Sequence, residues 1–146
     1  MNKISKEMSF IINMWSVNSI ISKKLDASLG SVHGIGFTEY MILFHLNKSH
    51  NKAMRRIDLA NNIGLTASGI TRIVSPMEKI GVVMKERNPR DARVSLVKIT
   101  SAGEVILGDA TLSIKQNSKR LLDDVNENSL TQALEVFKSI GKDNYV

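Results

Sequence analysis

Between Arg56 and Ile99 the apolar pattern shifts from helical to strand-like spacing, and glycines stand at the joints. Ile57, Leu59, Ala60 and Ile63 recur at helical spacing over about Arg56 to Asn62, and Gly64 follows where a helix can close in a left-handed conformation. Thr66 is placed to cap a second helix, Ala67 to Ile80, and Gly81 ends it. Val82 to Arg87 and Val94 to Ile99 then read as strands around the turn-forming pair Asn88-Pro89. A short helix, a glycine turn, a second helix and a β-hairpin in immediate succession leave few folds open. The order is that of a helix-turn-helix followed at once by a hairpin.

The charge is concentrated in the same stretch. The chain has 146 residues, 20 basic and 14 acidic, for a net charge of +6. Ten basic residues and four acids lie between Lys52 and Lys98, so this third carries the whole excess and the rest is neutral. A basic centre in a neutral frame suits a polyanion. On the helix Ala67–Ile80, Ile70, Ile73, Val74, Met77 and Ile80 share one side. Ser68, Arg72, Ser75 and Lys79 fall opposite, with Thr71 alongside. Small hydroxyl residues allow close approach to a major groove, and an arginine can bridge guanine O6 and N7. Any surface helix can have a polar exterior; the neighbouring helix and turn are what narrow the reading to nucleic acid.

The hairpin loop, Asn88 to Arg93, is charged rather than tight. Arg87, Arg90 and Arg93 cluster there, with Asp91 two residues before Arg93. An arginine on a hairpin tip can enter a narrow minor groove, and a nearby carboxylate can orient its guanidinium. Thr66, Arg55, Arg56, Arg87 and Lys79 are candidates for phosphate contacts.

The flanks are helical. The first 29 residues carry two apolar stripes, Ile4, Met8, Ile11 and Trp15, and Phe10, Met14, Val17, Ile21 and Leu25. Two stripes exceed what one domain face can cover, so burial by a second body is expected. Gly30 to Gly36 reads as a loop, and Thr38 as the cap of a helix to about Asn47. Ser101 stands three residues before Glu104, a capping-box spacing that opens a long helix to about Asp124. Asn126 can cap a last helix holding Leu130, Ala133, Leu134, Val136, Phe137 and Ile140.

Three groups of residues together resemble the MarR family of winged-helix transcriptional regulators. They are the run Leu65 to Val74, then Met77 to Val83, then Asp91-Ala92-Arg93 with Ile99 to Gly103. The likeness covers nearly the whole chain, and the Asp-x-Arg of the hairpin is its most specific element. It implies a single domain over 1–146, mainly α with a small β-hairpin wing. The winged helix-turn-helix would occupy about 37–100, and dimerisation helices about 4–29 and 101–141. It further implies a homodimer on a pseudo-palindromic operator in double-stranded DNA, acting as a repressor. Recognition helices would lie in successive major grooves and wing arginines in the flanking minor grooves. Many members respond to small aromatic ligands bound between the DNA-binding and dimerisation regions.

Two departures stand out. Arg56-Ile57 occupies a place where the family often has a serine or threonine cap. Pro76 lies within the second helix of the motif, where it removes an N–H and should kink the helix late, past its DNA-facing half.

Met14, Trp15, Tyr40, Met41, Phe44 and His45 are candidates to line an aromatic-ligand cleft between the first two helices. The alternative is that they are core or dimer contacts, as aromatic stripes at helical spacing usually are. Other chemistry finds little footing. The chain has no cysteine, which removes disulfides, thiol catalysis and thiol-based redox sensing. His45 and His50 are five apart, off the spacing a helix uses for a metal, so no metal site or cofactor is expected. Asp123 and Asp124 are adjacent and point apart, and no nucleophile elbow or Walker loop occurs, so an enzyme is not expected. No apolar run approaches the length of a membrane helix and no signal-peptide pattern opens the chain; a cytoplasmic location is the expectation. Two alternatives remain at this point: a DNA-binding protein of the same fold without an effector, and a basic module for an acidic protein partner.

Overall fold

The structure, a computed structural model, describes residues 3–141. Six α-helices and three short strands follow one another: α1 Lys6–His33, α2 Phe37–Lys48, β1 Ala53–Arg55, α3 Arg56–Ile63, α4 Ala67–Lys79, β2 Val83–Arg87, β3 Ser95–Ile99, α5 Ser101–Leu121 and α6 Glu127–Gly141. The strands form one antiparallel sheet in the order β1-β3-β2, with Arg55 opposite Leu96 and Arg87 opposite Ser95. The fold is the expected one: mainly helical, with a winged helix-turn-helix between long terminal helices.

One core joins α2, α3, α4 and the sheet. Ile42, Leu43, Leu46, Leu59, Ile70, Val74, Met77, Val83 and Val97 are buried in it, and Leu107 and Ala110 of α5 close it from the other side. Close approach at that closure requires glycine. A Cβ on Gly103 would stand 2.1 Å from the Val82 carbonyl oxygen, so the first turn of α5 can lie against the start of the wing only without a side chain there.

The local punctuation matches the sequence in the motif itself. Thr66 accepts the Gly69 N–H at 3.0 Å as cap of α4, and Gly64 closes α3 at φ 74°. Asn126 accepts the Ser129 N–H at 2.8 Å at the start of α6.

Elsewhere a distant partner displaces the expected one. α1 does not stop at residue 29: it runs through Gly30 to His33 and ends at Gly34, φ 70°. The cap of α2 is not Thr38. The chain enters the helix at Gly36, and the Phe37 N–H is taken by Asp26 of α1 at 2.6 Å. Nor does Ser101 cap α5. Thr100 does so, accepting the Gly103 N–H at 3.1 Å and donating to the Gly81 carbonyl at 2.6 Å, while Glu104 turns to Lys52. α5 ends at Leu121, short of Asp124.

The wing is a three-stranded sheet rather than a two-stranded hairpin, because β1 joins its edge. β1 is too short to show a period, and the left-handed Asn51 and Lys52 before it (φ 54° and 57°) redirect the chain into it. Ile57 and Ile80, expected inside, are exposed. α3 turns Leu59 and Ala60 inward instead, and Ile80 lies past the last turn of α4. α4 is one helix across Pro76.

Candidate nucleic-acid interface

α4 separates its faces cleanly. Ile70, Val74 and Met77 anchor it in the core, and Ser68, Thr71, Arg72, Ser75 and Lys79 lie on its exposed side. Some of its polar atoms are already engaged. The Thr66 hydroxyl oxygen holds the cap, and the Thr71 hydroxyl donates to the Ala67 carbonyl at 3.1 Å, leaving Thr71 to act outward as an acceptor.

The wing loop is held by its own short side chains. Asn88 accepts the Arg90 N–H at 3.0 Å, and Asp91 accepts the Arg93 N–H at 3.0 Å. Asp91 also receives the Arg93 guanidinium at 3.1 and 3.3 Å. The guanidinium, and then the backbone N–H, hold the Asp91 carboxyl below its ordinary pKa. Arg93 is thereby oriented without being covered: its side chain is 90% exposed.

Ion pairing divides the ten basic residues of this region into two sets. Lys52, Arg55, Arg56, Arg93 and Lys98 pair with Glu104, Asp58, Glu78, Asp91 and Glu86. Among the described residues, Arg72, Lys79, Lys85, Arg87 and Arg90 have no such partner, and all five are exposed on α4 or the wing. Arg55 and Arg56, expected to be free for phosphate, are both engaged, Arg55 with Asp58 at 2.8 Å and Arg56 with Glu78 at 3.4 Å. Lys85 was not singled out from the sequence; its place on a wing strand was the available signal.

Residues 37–95 match the model of the MarR family, from the start of α2 to the first residue of β3. Over that stretch the chain is similar to the MarR family. It has the DNA-binding fold of that family's transcriptional regulators. Among its relatives is the HTH-type transcriptional regulator BilQ of Clostridioides difficile, 28% identical over 104 residues, 69% of each chain. The solved structure of the transcriptional regulator BldR from Sulfolobus solfataricus superposes with a TM-score of 0.83 at 25% identity, over 95% of this chain and 99% of that one. Sco3205, a MarR family transcriptional regulator from Streptomyces coelicolor whose structure is in complex with DNA, superposes with a TM-score of 0.82 at 20% identity. That match covers 97% of this chain and 90% of the other.

On this MarR fold the six ligand-cleft candidates do not meet within one chain. Met14 and Trp15 line an open apolar groove of about 890 Å³ between α1 and Phe137 of α6. Phe44 lines a different hollow of about 440 Å³ against Leu107 and Thr111 of α5. Tyr40 is buried, stacked between Phe37 and Phe44, with its hydroxyl 3.1 Å from that of Thr111. Met41 and His45 are half-buried, and His45 meets the Phe44 ring edge-on. Burial, and then the charge of Lys48, lower the His45 pKa. Among the described residues no group of three His, Asp or Glu side chains could hold a metal ion, and no helix is long and apolar enough to cross a membrane.

Proposed function

We propose that this chain is a sequence-specific regulator, acting as a repressor, that binds a pseudo-palindromic operator as a homodimer. The observation that carries the reading is that, of the ten cations between Lys52 and Lys98, the five without an ion-pair partner all stand exposed on α4 or the wing. Ser68, Thr71, Arg72 and Ser75 would face the major groove, and Arg90 and Arg93 the minor groove, with Asp91 orienting Arg93. Thr66, Arg55, Arg87 and Lys79 would steady the backbone contacts. The dimer is supported by the terminal helices: in α6, and in α1 before Leu25, no described residue is buried. Met8, Ile11, Trp15, Phe137 and Ile140 stand exposed there, with Ile4 exposed just before α1. Release by a small aromatic ligand would require a second copy to close the groove beside Met14 and Trp15. Repression and ligand release rest on the family likeness.

Arg72→Ala and Arg93→Ala, measured on operator and random duplex at two salt concentrations, test the reading. Arg72→Ala should weaken the operator complex more than the random one, by about 1–3 kcal/mol for a lost bidentate base contact. Arg93→Ala should weaken both more evenly and flatten the salt dependence by roughly one released ion per subunit. Equal effects of Arg72→Ala on the two duplexes would reduce α4 to a basic surface and favour an acidic protein partner instead.

A further inference from the structure

Arg56 is an odd residue for its position. It is the first residue of α3, where the helix dipole disfavours a cation, and α3 has no side-chain cap. Yet its side chain is only 20% exposed, and its guanidinium reaches two other elements. One nitrogen donates to Glu78 Oε1 at 3.4 Å, in the last turn of α4. The other donates to the Ser95 hydroxyl at 3.0 Å, at the first residue of β3. Glu78 is itself largely covered, its side chain 25% exposed.

Ser95 marks the point where the wing loop leaves the sheet. It is paired across the strands with Arg87, and Arg93 lies two residues before it. Thus one planar guanidinium spans the helix that carries Arg72 and the base of the loop that carries Arg90 and Arg93. A guanidinium presents its donors in a rigid fork, so it can fix two partners relative to one another as an ammonium cannot.

We infer that Arg56 is a positioning residue: through Glu78 and Ser95 it holds the recognition helix and the wing in one register, so that major-groove and minor-groove contacts are made together. This rests on the DNA-reading proposal above and replaces the phosphate-contact role that the sequence suggested for Arg56. Arg56 itself need not touch DNA.

The test is a double-mutant cycle on the full chain, with Arg56→Met, Glu78→Gln and the pair together. Binding is measured to the operator duplex selected by the wild-type protein and to a random duplex of equal length. The expected result is a loss of roughly tenfold in operator affinity for each single variant, and no further loss in the double variant, because both break the same link. The operator-to-random ratio should shrink while the salt slope on random DNA stays at the wild-type value. A merely structural role would lower the active fraction for both duplexes equally and leave the ratio intact, which overturns the proposal. Loss in Arg56→Met alone, with a flatter salt slope and an unharmed Glu78→Gln, would make Arg56 a phosphate contact and also overturn it.

Should Arg56→Met fail to fold, Glu78→Gln and Ser95→Ala carry the test. Ser95→Ala cuts only the link to the wing and should lose preference for the sequence flanking the operator core. An unchanged flank preference in Ser95→Ala, or unchanged operator affinity in Glu78→Gln, would refute the link. Failure of the wild-type protein to discriminate between the two duplexes would instead refute sequence reading itself, before any variant is compared.

Discussion

The winged helix and the terminal helices are built from similar proportions of apolar side chains and use them in opposite ways. In the first, Leu46, Leu59, Ile70, Val74 and Val97 are fully buried by the same chain. In the second, Trp15 is 71% exposed and Phe137 42%, and α6 has no buried residue. The core of the winged helix is closed within the chain, with Leu29 of α1 and Leu107 and Ala110 of α5 completing it. The outer faces of the terminal helices leave apolar side chains uncovered, a surface costly to leave in water, which the proposed second copy would cover. The net charge follows a similar division: the whole positive excess lies in the winged helix, where five exposed cations without ion-pair partners, Arg72, Lys79, Lys85, Arg87 and Arg90, stand on α4 and the wing.

Substitutions on the two sides should therefore fail differently. The largest expected effect is on the closed core. Leu46→Ala should cost about 2–5 kcal/mol, by loss of burial and by the cavity left behind. Chemical denaturation would read this as a lower midpoint with an unchanged slope. Ile11→Asp or Phe137→Asp should leave the winged helix folded but raise the dissociation constant of the dimer by on the order of a hundredfold, the scale of a central interface residue. Sedimentation would show a stable folded monomer only in these variants. The same monomer in the wild-type protein at micromolar concentration would break the comparison, since the open faces would then need no second copy.

The smallest effect concerns His45, in the last turn of α2. Burial and Lys48 lower its pKa in the folded state, so the unfolded chain binds the proton more readily. Its contribution to stability is then present above pH 6.5, the ordinary value, and is lost as the pH falls through the lowered folded value. Melting temperatures followed from pH 7.5 downward should fall less steeply for His45→Gln than for the wild type. Identical slopes would show that His45 is as well hydrated folded as unfolded.

What the sequence revealed follows from the range of the interactions. Thr66, Gly64, Gly81 and Asn126 act on atoms within a few residues, and each was legible. The errors share a cause in contacts made across the fold. Asp26 reaches Phe37 and removes the need for a cap at Thr38. Lys52 draws Glu104 away from the capping box, and Thr100 is secured by the Gly81 carbonyl. β1 exists because β3 is there to pair with it. The exposed polar face of α4 and the charged turn of the wing, the proposed DNA-facing set, were legible as a helical face and a charged loop. The engagement of Arg56 was not, since Glu78 and Ser95 stand 22 and 39 residues away. Aromatic and methionine side chains at helical spacing look the same in a stacked core as in a cleft.

Selection of preferred sites from a pool of random duplex DNA tests the central claim most directly, because it reads both regions at once. A recognition helix in each of two copies should enrich an inverted repeat, with half-site centres about one helical turn, roughly 10 base pairs, apart. Preference should extend into A·T-rich flanks where the wings lie. Enrichment of a single half-site without a mate would contradict the dimer. A pool that returns no preferred sequence, bound with salt-dependent affinity alone, would contradict sequence reading by α4.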